Sequence, residues 1–112
     1  MNDIPAQTRR TLRFDRAIPH DPGARTTTRV FHANPAGSFK TGFWSAEPGS
    51  SPIAYTMDEM CVLLEGHVRL TDASGHVEEY VAGDTFLIPN GFTGTWETVK
   101  HVKKFFAIYK PA

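Results

Sequence analysis

The chain has 112 residues, enough for one domain that buries a core without disulfides or a structural metal. Twelve basic side chains balance twelve acidic ones and the lone cysteine is Cys61, which argues against nucleic acid as a partner and against an oxidising compartment. No run approaches the ~20 apolar residues of a membrane span, and "MNDIPAQTRR" lacks the apolar core of a signal peptide, so a cytoplasmic address and no membrane partner are expected.

Residues 1–24 carry Pro5, Pro19, Pro22 and Gly23 and show neither a helical nor a strand period, so they read as an extended arm packed along the domain or a partner subunit. From residue 25 to 112 the pattern changes to short β-rich runs separated by turn residues. The runs are "RTTTRVFHA", "SFKTGFWSA", "IAYTMDEMCVLLEG", "HVRLTD", "HVEEYV", "DTFLIP", "GTWETV" and "KKFFAIYK". The intervening "NPAG", "EPGSSP", "DASG", "AGD" and "PNGF" each hold Gly or Pro for a turn. This is an all-β domain of about eight strands with few helices, in which "HVRLTDASGHVEEYV" forms a hairpin.

Alternation places Ile53, Tyr55, Met57, Glu59, Cys61 and Leu63 on one face and Met60, Val62 and Leu64 on the other. Both faces are apolar, so one needs the opposite sheet and the other a further layer, which favours a homodimer. The exception is Glu59. A buried carboxylate must be paired, hydrogen-bonded, wet or protonated. Alternation in the final run puts Lys104 on the face of Phe106 and Ile108, making Lys104 its expected partner, with Lys103 outward.

Two motifs carry a family resemblance. "EMCVLLEG", from Glu59 to Gly66, resembles the end of the first cupin motif, and "GDTFLIPNGFTG", from Gly83 to Gly94, resembles the second. The chain is similar to single-domain cupins of the (S)-ureidoglycine aminohydrolase-like family, a group long filed as domains of unknown function. The resemblance implies a jelly-roll β-barrel (cupin, RmlC-like), commonly a homodimer, with a small-molecule pocket inside. It also implies where a metal would be held, by a His-x-His pair before the acid and a third His after the second-motif proline. Those positions fall on Ile53 and Tyr55 (or Pro52 and Ala54) and on Gly94. Only Glu59 of the four ligands is present, where a transition-metal centre needs about three protein ligands. No metal residue is therefore assigned and no cofactor expected, with Mn or Zn the ion to look for if the family's chemistry persists.

Gly94 in place of a histidine is expected to vacate volume that Trp96 fills, with Trp44, Phe86, Phe92 and Phe106 around it. The candidate ligand-binding set is Trp44, Tyr55, Met57, Cys61, Phe86, Phe92 and Trp96, and the candidate catalytic set is Glu59, Lys104 and Tyr55. The Glu59–Lys104 pair reads equally as a structural ion pair. Cys61 lacks a histidine to activate it. Of the histidines, His67 and His76 are expected together at a hairpin end, His32 near the barrel mouth on the face of Val30, and His20 and His101 in the arm and a loop, without a role.

Three functions follow. One is hydrolysis of a C–N bond of a small ureide, with Glu59 as general base and Tyr55 or Lys104 polarising the substrate. Another is a non-catalytic binding or sensing module. The third, a metal-free sugar epimerase or isomerase, ranks last because it needs a pocket His–Asp pair.

Overall fold

The computed structural model describes residues 10–111; residues 1–9 of the arm and residue 112 lie outside the described residues. Seven strands follow in order: β1 (Thr26–Ala33), β2 (Phe39–Ala46), β3 (Gly49–Ala54), β4 (Asp58–Asp72), β5 (Val77–Val81), β6 (Thr85–Ile88) and β7 (Thr93–Tyr109). Two expectations are corrected here. "HVRLTD" continues β4 and "GTWETV" and "KKFFAIYK" are halves of β7, so two pairs of runs fuse. Conversely, the stretch read as the turn "EPGSSP" contributes Gly49 to Pro52 to β3.

The two long strands organise the barrel. β4 and β7 pair antiparallel from Asp58↔Tyr109 to Asp72↔Gly94. The first half of β4 takes β6 on its free edge and the second half takes β5. The second half of β7 takes β2, which carries β1, and its first half takes β3. Each long strand thus serves two half-sheets, which face each other as in a jelly roll. The fold bends where the β4–β7 register shifts, around Glu65 and His67. Gly66 lies between them at φ 94°, and a Cβ there would come 2.1 Å from the His101 carbonyl oxygen, so the turn requires glycine. The bulge also flips the alternation: Glu59, Cys61 and Leu63 point inward before it, Val68 and Leu70 after it.

The core between the half-sheets comprises Ala46, Cys61, Leu63, Val68, Leu70, Phe86, Ile88, Trp96 and Val102. On the outer face of the β1-β2-β7-β4 half-sheet, Phe31, Phe43 and Phe105 pack with Phe14 of the arm, at centroid separations of 5.3 to 6.0 Å. Arm residues 10–24 contain no strand or helix and are tied to the barrel by that cluster, by Arg29–Asp21 at 2.5 Å and by Lys103 donating to the Arg16 carbonyl. Met60 and Leu87, neighbours across β4 and β6, remain 43% and 58% exposed.

Candidate functional site

A cleft of about 500 Å³ opens on the concave face, between β1, β2, the end of β7, the start of β4 and the β3 edge. Its mouth is polar, with Arg25, Thr26, Thr28 and Ser51, and its floor holds Glu59, Lys104, Tyr55, Trp44 and Trp96.

Backbone pairing sets the floor. Glu59 enters β4 opposite Ile88 on one side and Ile108 on the other, and is 5% exposed. Lys104 on β7 pairs across from Trp44, and is 4% exposed. Its Nζ lies 3.2 Å from Glu59 Oε2, 3.6 Å from Cys61 Sγ, 4.8 Å from the Trp44 ring and 4.4 Å from the Trp96 ring. The ammonium therefore has a carboxylate on one side and two indole faces on the others, each a favourable partner for a desolvated cation. Trp44 and Trp96 meet edge to face at 5.3 Å, and the Trp96 indole N–H donates to Thr98 Oγ1 at 2.9 Å.

The second-motif turn positions Tyr55. Tyr55 N–H donates to the Phe92 carbonyl at 2.8 Å, and the Gly91 N–H donates to the Tyr55 carbonyl at 2.8 Å. Asn90 N–H donates to Asp58 Oδ1 at 2.8 Å, pinning the same β3–β4 connection. So held, the Tyr55 hydroxyl donates to Glu59 Oε1. Burial first, and then the neighbouring Glu59, push the Tyr55 phenol above its ordinary range. Burial likewise pushes the Cys61 thiol up to about 12, against a lowering effect from Lys104.

The inward Glu59, its Lys104 partner and the Trp44–Trp96 floor occur as the alternation implies, with Tyr55 and Met57 lining the same cleft. Four expectations are corrected. Phe86 does not reach the cleft: it is buried and stacked on Tyr80 at 3.9 Å. Phe92 lines a separate depression with Leu70, Tyr80 and Ile88, and only its backbone carbonyl reaches the cleft residue Tyr55. Cys61 lies behind Lys104 rather than on the cleft wall. Gly94 leaves no vacancy for Trp96 to fill, since a Cβ there would stand 2.0 Å from the Thr71 carbonyl oxygen.

The histidines also depart from expectation. A bulge at Phe31 puts His32 and Val30 opposite adjacent residues of β2, Thr41 and Gly42, so they no longer share a face; His32 packs against Phe39 instead. His67 sits opposite Val81, away from the hairpin turn that holds His76, and the two pair separately with Glu79 and Glu78. His20 and His101, given no role from sequence, meet at 5.1 Å beside Glu47.

The cupin metal position does not suit a transition ion here. Glu59 is the one carboxylate, its two oxygens are engaged by Tyr55 and Lys104, and the Lys104 ammonium occupies the place beside the carboxylate where a cation would bind.

Residues 33–106 match the family model for the EutQ-like cupin domain. Among solved structures, the chain is similar to an ethanolamine utilization protein Q from Salmonella typhimurium LT2, with 20% identity over 78% of this chain and 71% of that one and a TM-score of 0.69. It is similar to the Clostridium difficile EutQ protein, with 14% identity over 76% and 68% of the two chains and a TM-score of 0.67. A protein of unknown function of the DUF861 family from Pseudomonas syringae pv. tomato shares 23% identity over 85% of this chain and 46% of that one, with a TM-score of 0.72. No curated protein matches the sequence. These likenesses establish the cupin jelly roll that the two motifs imply.

Proposed function

The chain belongs to the EutQ-like cupin domain family, and on that basis we propose that it is a small-molecule-binding cupin whose cleft takes up a small organic anion without turning it over. The observation that carries this reading is the engagement of Glu59. One oxygen accepts from the Tyr55 hydroxyl and the other pairs with Lys104 at 3.2 Å. A general base must reach the proton it takes, and both oxygens of this carboxylate are already engaged, so a substrate proton would have to compete with Tyr55 and Lys104. Tyr55, a proton donor already committed to Glu59, is no better acid.

What the cleft does offer is recognition. A volume of about 500 Å³ suits a small ligand, and its apolar walls with a few convergent polar groups have the composition of a binding pocket. Glu59 and Lys104 cancel, leaving Arg25 as the lining cation that has no carboxylate partner among the described residues, with Thr26, Thr28 and Ser51 also at the mouth. That mouth favours a carboxylate or similar anion, with the planar part of the ligand against Trp44 and Trp96.

The test is thermal denaturation against a panel of small carboxylates and ureides, with mass spectrometry for products. A ligand at a hundredfold excess over its Kd should stabilise the protein by about 2.7 kcal/mol, weaken on Arg25→Ala, and be recovered unchanged. Product formation abolished by Glu59→Gln would replace this reading with the hydrolytic one, in which Tyr55 and Lys104 release the carboxylate when a ureide binds. That alternative is favoured only by the placement of an acid inside the cleft. For assembly, the exposed Met60 and Leu87 on the outer sheet face support a homodimer.

A further inference from the structure

We infer that His20, Glu47 and His101 form a binding site for a zinc-class divalent ion that clamps the N-terminal arm to the barrel, away from the cleft. His20 comes from the arm, Glu47 from the turn after β2, and His101 from the bend of β7. One ligand atom from each lies within 4.8 Å of the other two. His101 Nδ1 is hydrogen-bonded to Glu47 Oε1, and His20 Nε2 is 3.9 Å from the same oxygen. Tetrahedral coordination with bonds of about 2.0–2.1 Å needs ligand atoms roughly 3.3 Å apart. The required contraction falls mainly on the Glu47 and His101 side chains, which are 51% and 36% exposed and free to swing.

The donor chemistry is selective. Two imidazoles and a carboxylate are a zinc-type set with one position left for water, whereas Mg²⁺ and Ca²⁺ prefer all-oxygen sites. His20 is also pre-oriented. Its ring is held at both nitrogens: Nε2–H donates to the Ala24 carbonyl at 2.6 Å, and Nδ1 accepts from the Ser45 hydroxyl at 2.7 Å. Metal binding would exchange the Ala24 contact for the ion, with the ring proton shifting to Nδ1, from which it is donated to Ser45 Oγ.

The position gives the clamp a consequence. Glu47 N–H donates to the Arg25 carbonyl at 2.8 Å, and His20 reaches Ala24, so the site braces the segment that carries Arg25 into the cleft mouth.

The experiment uses the full chain, stripped with chelator and titrated with Zn²⁺ by calorimetry, with Co²⁺ absorption as a spectroscopic report of coordination. The expected result is one ion per chain, a Co²⁺ spectrum of low coordination number, and a melting temperature that rises with Zn²⁺. Affinity should fall at least tenfold in Glu47→Gln and in His101→Ala, and by roughly 10–100-fold in Ser45→Ala, which touches only the orienting bond. His76→Ala, at an exposed histidine elsewhere, should leave affinity unchanged. Far-UV circular dichroism confirms that each variant folds. Absence of stoichiometric binding at micromolar Zn²⁺, or equal affinity in the Glu47→Gln/His101→Ala double variant, would overturn the assignment.

Discussion

Replacing Lys104 with Met isolates the interaction on which the cleft floor depends. The Nζ–Oε2 separation of 3.2 Å corresponds to about 5 kcal/mol of attraction at an effective dielectric of about 20. Both groups are buried, so part of that attraction offsets desolvation and the pair's net contribution is smaller. Removing only the cation, however, strands Glu59, and the expected loss of stability is about 3–5 kcal/mol. Methionine nearly preserves the volume and keeps a sulfur–aromatic contact with Trp44 and Trp96, so cavity formation contributes little. The stranded carboxylate should take up a proton in the folded state that the unfolded chain has released. Folded protein then binds more protons than unfolded, and stability falls as pH rises. Guanidinium denaturation should therefore show a larger penalty at about pH 7.5 than at about pH 5.5, and the Glu59→Gln/Lys104→Met double variant should recover most of it. A loss below about 1 kcal/mol that does not vary with pH would mean that the pair is solvated, and the account of the floor would fail.

Tyr55→Phe should cost about 1–3 kcal/mol, by leaving one oxygen of buried Glu59 without its donor, and should be measurable by the same denaturation. Cys61 should resist alkylation in native protein near pH 8 and react on unfolding; its thiol, raised to about 12 in the folded state from 9.0, adds no pH dependence below about pH 9 and draws stability down as pH climbs from there toward 12, visible in melting curves. Gly94→His, which writes the missing family histidine back into the sequence, should destabilise by on the order of 3 kcal/mol because its Cβ meets the Thr71 carbonyl at 2.0 Å, and should not create metal binding at Glu59. Leu87→Glu should shift a dimer to monomer in light scattering if the Met60–Leu87 face is the interface, with little change in monomer stability since the side chain is 58% exposed.

Local rules read this chain well where the partner of a residue lies within one strand or turn. Alternation places Glu59 inward because nothing interrupts β4 between Glu59 and Leu63, and it places Lys104 inward because β7 runs regularly from Val102 to Phe106. The "DASG" turn forms its hairpin through the hydrogen bonds between Asp72 and His76 and between Asp72 and Gly75. The rules fail where an extra residue shifts the phase. The Phe31 bulge moves His32 off the face of Val30, and the register shifts about Gly66 reverse which residues of β4 point inward. The Phe31 bulge has no local marker, and Gly66 marks the second as a bend without saying that the inward face changes across it. Phe86 shows a different limit, since alternation correctly makes it interior but cannot say that it stacks on Tyr80 outside the cleft lining. His20, Glu47 and His101 are the extreme case: Glu47 and His101 are 54 residues apart, and only the folding of β7 past the turn after β2 brings them together.

The floor of the cleft also explains how an acid can stay inside a barrel that lacks the imidazoles expected beside it. A metal ion would normally neutralise that acid, and here Lys104 does so from the neighbouring strand. The substitution changes what the site can do. An ammonium held by Glu59, Cys61 and two indoles has no exchangeable coordination position, so it stabilises charge without offering a ligand a bond. On the proposed reading, recognition passes outward to the mouth, where the exposed Arg25 side chain has Ser51 Oγ as its hydrogen-bond partner among the described residues, at a long 3.4 Å. That bond is weak enough for an incoming carboxylate to displace, whereas the Glu59–Lys104 pair is not, because breaking it would leave two buried charges. Affinity should accordingly respond strongly to Arg25, while substitutions at Glu59 and Lys104 should act mainly through stability.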